Sequence, residues 1–501
     1  MHLEDNLMFT QGFDNDEYIR RQSEKIRERI NEFGGKLYLE FGGKLFDDNH
    51  AARVLPGFMP DSKVRMLLEL KEQAEIVIAI NAGAIESSKK RGDLGITYDM
   101  EVLRLIDAFR GIGLYVGSVV ITQYSDQPVV DAFYKRLENL GIKVYKHYSI
   151  ENYPTNVSVI ISEEGFGRNE YIETTRSLVV VTGPGPGSGK MSACLSQLYH
   201  ENKRGISAGY AKFETFPIWN LPLDHPVNIA YEAATADLND MNMIDHFHHQ
   251  AYGTYAVNYN RDIDIFPVVS SIFRHIKGES PYKSPTDMGV NMVGFCITDD
   301  EVCRAAAKQE IIRRYYAALC QVHQGLENPS VLQKLELIMN KADVTPADRP
   351  VIATALRVAE ETGEPAAALE LPDGRIVTGK TKNLLGSSAA LLLNALKALA
   401  NIPDDTHLLS PGVIEPVQKL KTGYLGNINP RLHTDEVLIA LSICVATNPS
   451  AAKAVEQLGK LRGCDAHSTV ILSSVDEDTF RRIGINITCE PKYQKKKLYH
   501  K

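Results

Sequence analysis

Ser177–Gln197 reads SLVVVTGPGPGSGKMSACLSQ and contains the most informative pattern in the chain. The β-branched run Leu178–Val181 predicts a buried strand, and a helical spacing of apolar residues continues through Leu195 and Leu198. Between the two lies a turn with four glycines that ends in a lysine. Such a turn is typical of phosphate-binding loops, because glycines let backbone N–H groups approach an anion and the helix N-terminus adds partial positive charge.

The candidate ligand-binding residues of this turn lie between the strand and the first turn of the helix. The glycine N–H groups would cradle a phosphate, and the lysine would bring a mobile full charge to the outer phosphates. We therefore predict a binding site for a nucleotide or a phosphorylated metabolite. Its residues are Gly183, Gly185, Gly187, Ser188, Gly189 and Lys190.

The loop departs from the Walker A pattern of nucleotide hydrolases at two positions. Pro184 stands where the motif has a glycine, and Met191 stands where a Ser or Thr would hold magnesium. A Walker B aspartate is also missing, since the apolar run Ile76–Ile80 ends at Asn81. These departures favour anion binding over the usual P-loop hydrolysis, and they leave open a purely structural turn that binds nothing.

Three further polar residues are candidates for contacts with the same ligand. Arg91 and Asp93 lie in a basic loop beyond the predicted strand Glu75–Ile80, and ligands of open α/β sheets bind beyond the carboxyl ends of strands. Arg168 lies in a glycine-rich loop just before Ser177 and would close over a bound phosphate. The alternative for all three is a solvated, charged surface.

The N-terminal part of the chain alternates between strands and helices, which predicts a parallel, doubly wound α/β sheet. The predicted elements are strands at Lys36–Phe41, Glu75–Ile80, Tyr115–Thr122, Ile142–Tyr145 and Val157–Ile161 and helices at Asp16–Phe33, Tyr98–Arg110 and Val129–Leu140.

A length of 501 residues exceeds what one hydrophobic core normally serves. We predict an N-terminal α/β domain with a P-loop-like turn in residues 1–228, a mainly helical middle region in 229–345 and a smaller C-terminal α/β domain in 346–501. The middle region includes a helix at Ile229–Tyr252 and a strand at Ile263–Val269, and the C-terminal domain includes a hairpin with the turn Pro372–Gly374. Long helices in the middle region favour packing into a homo-oligomer.

The composition excludes several classes of protein. The net charge of −8 argues against a nucleic-acid or membrane-binding surface, and no apolar run is long enough to cross a bilayer. The first residues, MHLEDNLMFTQGFDND, lack the pattern of a signal peptide. Seven cysteines without a CxxC motif argue against a disulfide framework, so we predict a cytoplasmic protein.

Two other clusters carry residue types that are common in catalytic sites. His246 and His249 are spaced i, i+3 in the predicted helix, as in some metal sites, although HExxH is absent. Cys464 and His467 lie close together before a predicted strand at Thr469–Leu472, where an imidazole would lower the pKa of the thiol. The alternative for both clusters is an ordinary core or surface role.

Four long strings of sequence resemble one bacterial family, found mainly in Firmicutes and known as domain of unknown function 1846. These strings are RGDLGITYD (Arg91–Asp99), EGFGRNEYIETTRSLVVVTGPGPGSGK (Glu164–Lys190), HPVNIAYEAATADL (His225–Leu238) and LPDGRIVTGKT (Leu371–Thr381). The resemblance covers essentially the whole chain. It implies a cytoplasmic, oligomeric α/β protein of several domains, and it supplies no reaction.

Three hypotheses about function follow from the sequence. The first is an enzyme that binds a nucleotide or phosphorylated metabolite at Gly183–Lys190, where Lys190 would neutralise developing negative charge. The second is a non-catalytic oligomeric protein that binds a phosphorylated ligand at the same loop. The third is a metal-dependent hydrolase that uses His246 and His249. Whether the protein is an enzyme stays open at this point.

Overall fold

The computed structural model describes residues 11–43, 45–46, 48–91 and 95–494. These residues group into two units. The first unit consists of Gln11–Glu232 and Asn239–Ala306, and the second consists of Ala233–Leu238 and the described residues from Ala307 onward. The domain boundaries predicted after residues 228 and 345 stay predictions.

The first unit is built on a parallel sheet of seven strands, in the order β4-β3-β2-β5-β1-β6-β9. Two more strands, β7 and β8, pair separately as an antiparallel ribbon. The predicted α/β class with a parallel doubly wound sheet is confirmed. The strands are β1 (Leu37–Phe41), β2 (Ala74–Asn81), β3 (Tyr115–Tyr124), β4 (Lys143–Tyr148), β5 (Leu178–Thr182), β6 (Gly209–Phe213), β7 (Asn242–Ile244), β8 (Val257–Tyr259) and β9 (Gly289–Val290).

The helices of the first unit connect these strands, and the last of them continues into the second unit. They are α1 (Asn15–Glu32), α2 (Asn49–Val54), α3 (Ser62–Glu69), α4 (Ala82–Glu86), α5 (Tyr98–Gly111), α6 (Pro128–Asn139), α7 (Val157–Ile160), α8 (Lys190–Lys203), α9 (Pro226–Ala234), α10 (His246–Tyr252), α11 (Asn260–Lys277), α12 (Pro285–Met288) and α13 (Asp300–His323).

Strand β5 occupies the middle of the parallel sheet, between β2 and β1. All of its five residues are buried, as expected for a strand that is covered on both faces. From β4 at one edge of the sheet, the chain passes over β3 and β2 and enters β5. From β5 it passes over β1 and forms β6 on the other side. The loop after β5 therefore lies where neighbouring strands lead in opposite directions, which is the usual position of a ligand crevice in such sheets.

Three elements predicted in the first unit are wrong. Val157–Ile161, predicted as a strand, contains the one-turn helix α7, which the side chain of Asn156 caps by accepting from the N–H of Val159. Ile263–Val269, predicted as a strand, lies inside α11, where Ile263, Phe266 and Val269 share the buried face at helical spacing. The single helix predicted at Ile229–Tyr252 is interrupted by β7, which pairs with β8.

The described part of the second unit combines a small mixed sheet with several helices, so the predicted C-terminal α/β domain is confirmed as a fold class. The sheet order is β11-β10-β12-β13, in which only β12 and β13 are parallel. Its elements are α14 (Pro329–Lys341), α15 (Pro350–Thr362), β10 (Ala366–Glu370), β11 (Ile376–Lys380), α16 (Ser387–Leu399), α17 (Pro411–Lys419), α18 (Thr434–Cys444), α19 (Pro449–Val455), β12 (Asp465–Ser468), α20 (Ser474–Ile483) and β13 (Asn486–Cys489).

The hairpin of the second unit forms as predicted, with β10 and β11 joined by a turn in which Gly374 has a φ of +81°. The strand predicted at Thr469–Leu472 is wrong, because the strand is β12, which ends at Ser468. Just beyond β12 the hydroxyl of Thr469 donates to the carbonyl of Ala366, and the hydroxyl of Ser468 donates to the carbonyl of Val470. The backbone N–H of Thr469 also donates to the carbonyl of Ala366.

Candidate functional site

The glycine loop, Gly183–Lys190, connects the buried end of β5 directly to the first turn of α8. Gly187 and Gly189 have φ angles of +77° and +84°, in the left-handed region that favours glycine. Gly189 immediately precedes the first residue of α8. Alternating backbone conformations of this kind turn successive N–H groups toward one side and form an anion-binding concavity.

Side chains at the ends of two neighbouring strands hold the carbonyl groups of the loop. Asn81, the last residue of β2, donates from Nδ2 to the carbonyl of Gly187 at 3.2 Å. Thr122 on β3 donates from its hydroxyl to the carbonyl of Ser188 at 2.8 Å. Within the loop, the hydroxyl of Ser188 donates to the carbonyl of Gly185 at 2.7 Å. The carbonyl groups are thus directed at the protein.

The last four backbone N–H groups of the loop, in contrast to its carbonyl groups, lack hydrogen-bond partners among the described residues. Among the residues that the structure describes, no acceptor receives the N–H of Gly187, Ser188, Gly189 or Lys190. The first N–H groups of a helix have no partner within the helix and need one from outside. Four consecutive N–H groups at the start of α8 therefore lack a partner among the described residues; Gly187 is exposed and Gly189 and Lys190 are partly exposed, whereas Ser188 is only 1% exposed.

The loop packs tightly against α5 and β3. A Cβ atom on Gly185 would overlap the hydroxyl of Tyr98, the first residue of α5. A Cβ atom on Gly189 would lie 2.5 Å from the hydroxyl oxygen of Thr122. These positions require glycine for space as well as for conformation, and the packing fixes the position of the loop.

Lys190 begins α8 and is only partly exposed. Its ammonium group forms no hydrogen bond or ion pair with any described residue. Burial lowers the pKa of Lys190; Glu40 counteracts this shift and Lys212 adds to it. A partly buried ammonium without a bonded counter-ion is unfavourable, so an anion in the concavity would stabilise it.

A buried charged cluster, defined as Glu40, Tyr210, Lys212, Glu214 and Asp262, lies near Lys190. Glu40 on β1 and Lys212 on β6 are cross-strand partners and so share one face of the sheet. The Tyr210 hydroxyl donates to Oε2 of Glu40 at 2.6 Å, whereas Oε1 of Glu40 has no hydrogen-bond partner among the described residues. Nζ of Lys212 pairs with Oε1 of Glu214 at 2.6 Å and also with Asp262.

The members of this cluster have strongly shifted pKa values. Burial raises the pKa of Glu214 to about 8, although Lys212 opposes the shift. For Asp262, burial is outweighed by Lys212, which lowers the pKa of this second carboxyl. Burial also disfavours the charge of Lys212, but attraction to Asp262 and Glu214 is stronger and raises its pKa. Within the trio of Lys212, Glu214 and Asp262, protonation is therefore favoured at Glu214 and Lys212, and ionisation is favoured at Asp262.

Of the three supporting candidates from the sequence, the structure describes Arg91 and Arg168, and both contact groups outside the glycine loop. Arg91 bonds the buried carboxylate of Glu101 on α5, which Arg104 also bonds. The guanidinium of Arg168 lies 4.3 Å from the centre of the Tyr148 ring at the end of β4. Asp93 lies outside the described residues. Roles for these three residues in ligand binding stay predictions.

The residues that support the glycine loop from other strands were not predicted from the sequence. Glu40, Asn81, Tyr98 and Thr122 are far from the loop in sequence, and only the strand order β3-β2-β5-β1 brings them near it. Asn81 alone carried a recognisable pattern, because a polar residue directly after the apolar run Ile76–Ile80 is typical of a strand end at a ligand crevice.

The sequence matches two family profiles that together cover nearly all of the chain. They are the domain of unknown function DUF1846, N-terminal, over residues 11–343, and the domain of unknown function DUF1846, C-terminal, over residues 347–499. The chain belongs to the DUF1846 family. The family resemblance drawn from the sequence is confirmed.

This DUF1846 chain is similar to proteins of Streptococcus pneumoniae. It is 58% identical over 494 residues to the UPF0371 protein of strain JJA, with 99% of this chain and 100% of that protein covered. The same values hold for the UPF0371 protein of serotype 19F strain G54 and for the UPF0371 protein spr0309 of strain ATCC BAA-255 / R6. This chain is thus similar to bacterial proteins over their whole length.

The histidines of α10 in this DUF1846 chain make aromatic contacts. The ring of His249 stacks on Tyr255 with centroids 4.5 Å apart, and the ring of His246 lies 4.1 Å from that of Phe247. The described part of the chain contains no group of three or more His, Cys, Asp and Glu residues that could hold a metal ion. The hypothesis of a metal-dependent hydrolase gains no support from these residues.

The Cys464 and His467 pair of this DUF1846 chain is part of a core. Burial raises the pKa of the Cys464 thiol to about 12, which is opposite to the activation considered from the sequence. Nδ1 of His467 is hydrogen-bonded to the hydroxyl of Thr488 at 2.8 Å, and its Nε2 lies 3.4 Å from Oε1 of Glu490. The thiol is therefore protonated at neutral pH.

None of the described helices is long and apolar enough to cross a membrane.

Proposed function

We propose that this protein binds the phosphate group of a nucleotide or another phosphorylated metabolite at the glycine loop. The observation that carries this proposal is the run of four N–H groups, Gly187 to Lys190, without an acceptor among the described residues. A phosphate group has enough acceptor oxygens to satisfy these donors together. The N-terminus of α8 adds the favourable end of its dipole.

The charge of Lys190 supports the same ligand. Its ammonium group is partly buried and forms no ion pair with the described residues, so the free protein pays a desolvation cost at this position. A phosphate bound at the loop would supply the missing counter-charge. Binding would then relieve the unfavourable environment of the lysine as well as satisfy the N–H groups.

The loop does not supply the magnesium ligand of a usual P-loop hydrolase. Met191 follows Lys190, and a thioether sulfur is a poor ligand for magnesium, which prefers oxygen. We therefore propose that phosphate binding at the loop itself does not depend on magnesium. Stabilisation by ligand should be similar with and without added magnesium chloride.

Glu40 favours ligands that carry a hydrogen-bond donor near the phosphate. Its Oε2 accepts from Tyr210, and its Oε1, which has no partner among the described residues, is free to accept a second hydrogen bond. Phosphate itself is an acceptor and would be repelled by this carboxylate. A hydroxyl or amine on the ligand would be attracted, so the proposed ligand class is a nucleotide or sugar phosphate rather than inorganic phosphate.

Catalysis on the bound ligand is the second candidate function, and the buried charged cluster favours it. Shifted pKa values concentrate at functional sites, and Glu214 combines a raised pKa with a 2.6 Å contact between its Oε1 and Nζ of Lys212. A carboxyl that is protonated at neutral pH is a suitable general acid. Turnover of a ligand that is first identified by binding would distinguish an enzyme from a non-catalytic binding protein.

Ligand-induced thermal stabilisation tests the proposed binding. ATP, ADP, AMP, pyrophosphate and glucose 6-phosphate would be screened with wild type, Lys190→Ala and the control Lys203→Ala, which removes an exposed lysine from the same helix. At about 100 times Kd a ligand adds roughly 2.7 kcal/mol of stability. We expect at least one ligand to stabilise wild type and Lys203→Ala but not Lys190→Ala.

Two results of this screen would contradict the proposal. One is the absence of stabilisation by every phosphorylated compound, and the other is full stabilisation of Lys190→Ala. Glu40→Gln tests the ligand class separately. It should reduce the preference for glucose 6-phosphate or a nucleotide over pyrophosphate while pyrophosphate itself still binds.

A further inference from the structure

The second unit exposes an unusual concentration of large apolar side chains. Seven of them come from two segments, the chain just after α17 and the helix α18, and their exposed fractions range from 38% to 78%. We call this set the apolar surface. It consists of Leu420, Tyr424, Leu425, Ile428, Ile439, Ile443 and Val445.

Helix α18 is apolar on both of its faces. Val437, Ala440, Leu441 and Cys444 face the core of the second unit. Ile439 and Ile443, spaced i, i+4, are exposed on the other side. A helix that is apolar all round is normally buried all round. The described residues cover only one face of α18, so within the described part of the chain the other face lacks the partner that its sequence predicts.

The two segments of the apolar surface are tied together by an ion pair. Nζ of Lys421 lies 2.7 Å from Oε2 of Glu436 in the first turn of α18, and it also donates to the carbonyl of Arg431 at 2.8 Å. The lysine side chain is only 3% exposed, so its charge is neutralised beneath the surface. No charged residue occurs between Val437 and Ala452 in the sequence. The apolar surface is thus almost free of charge.

We propose that the apolar surface is the interface at which two copies of this chain form a symmetric dimer. Its seven side chains expose on the order of 800 Å², which is about what each partner contributes to a stable interface. A two-fold interface pairs a surface with itself, which requires self-complementarity. The α18 part of the apolar surface meets this requirement because it contains no charged side chain, and the exposed Lys419 lies at the edge of the other segment.

Sedimentation velocity of the full chain tests this proposal. We expect wild type to have about twice the chain mass of 55.7 kDa at high concentration. The double variant Ile439→Glu, Ile443→Glu should raise the dimer Kd at least about a hundredfold. The control Leu337→Glu, at a residue of α14 that is also well exposed, should leave the dimer intact. A monomeric wild type, or a double variant that dimerises like wild type, would overturn the proposal.

Footprinting of the wild type provides an answer even if the double variant fails to fold. Tyr424 is exposed in the single chain, as is Tyr255 in the first unit. Hydroxyl-radical modification of Tyr424 should increase as the protein is diluted, whereas modification of Tyr255 should not change. Equal modification of Tyr424 at high and low concentration would show that nothing covers it, and would reject the dimer.

Discussion

Lys190 carries a positive charge that burial disfavours and that no ion pair with the described residues neutralises. A structural lysine in a core is normally paired, as Lys212 is with Glu214 and Asp262 in the same unit. The two lysines therefore play different parts. Lys212 is satisfied by the protein itself, whereas Lys190 has no such partner among the described residues, which is why we propose that it meets the charge of a bound anion.

Replacement of Lys190 should separate ligand binding from stability. Without ligand, Lys190→Ala should change the free energy of unfolding by less than about 1 kcal/mol, because the lysine forms no bond that is lost. Lys212→Ala should cost about 3–5 kcal/mol, since it leaves two buried carboxyl groups without their partner. Urea unfolding monitored by circular dichroism measures both. A large loss of stability in unliganded Lys190→Ala would indicate a structural lysine instead.

Gly187 and Gly189 should differ in how much stability is lost when each is replaced by alanine. Gly187→Ala adds a Cβ atom that meets no atom within 4 Å, so only its positive φ opposes the change, at a cost of about 1–2 kcal/mol. Gly189→Ala has the same conformational cost and also overlaps Thr122, which adds about 1–3 kcal/mol. Urea unfolding of the two variants should show the larger loss for Gly189→Ala. Equal losses would contradict the tight packing of the loop against β3.

At the scale of elements, the sequence identified the long patterns and failed where local patterns were ambiguous. The β-branched run of β5 and the alternation of strands and helices gave the parallel sheet. Val157–Ile161 is a similar apolar run, but the cap from Asn156 starts a helical turn there. In Ile263–Val269 short-range β propensity suggested a strand, although the buried residues follow a helical period over the whole of α11.

The candidate site was predictable only in part for the same reason. Gly183–Lys190 is one continuous stretch, so its conformation could be predicted from glycines and a following helix. Glu40, Thr122 and Lys212 come from three different strands, and only the order of strands in the sheet places them around the loop. The sequence alone does not reveal the order of strands in the sheet, so it does not reveal which residues of other strands lie beside the loop.

The start of α18 contains a pH-dependent contact that the sequence did not suggest. Nδ1 of His433 lies 3.0 Å from Oδ2 of Asp476, and this hydrogen bond raises the pKa of His433. The pair therefore stabilises the fold fully below the unfolded pKa of about 6.5, and this contribution is lost as the pH rises through the raised pKa of the histidine.

Comparison of His433→Gln with wild type tests this contact. The difference in melting temperature should be larger near pH 6 than near pH 9, because only the protonated imidazole forms the ion pair. In an Asp476→Asn background, His433→Gln should no longer change the pH dependence. A wild-type advantage that stays constant from pH 6 to pH 9 would show that the ion pair does not contribute.

At the scale of the whole molecule, the two proposals rest on different units. The glycine loop belongs to the first unit, and the apolar surface belongs to the second. They share no residue. The variant Ile439→Glu, Ile443→Glu should therefore keep the ligand-induced thermal stabilisation, and Lys190→Ala should keep the dimer mass in sedimentation. Loss of both properties in either variant would mean that the variant is misfolded or that the two properties are coupled.

The state of the loop N–H groups can be observed directly in the full chain. With ¹⁵N-labelled glycine, the amide resonances of Gly187 and Gly189 can be followed by transverse relaxation-optimised spectroscopy during titration with pyrophosphate. Gly363 and Gly374 are controls, because they also have positive φ angles but their N–H groups already donate to Ala359 and Leu371. We expect downfield shifts for the two loop glycines and none for the controls. If neither pyrophosphate nor ATP, AMP or glucose 6-phosphate, each at millimolar concentration, moves Gly187 or Gly189, the loop does not bind phosphate and is a structural turn.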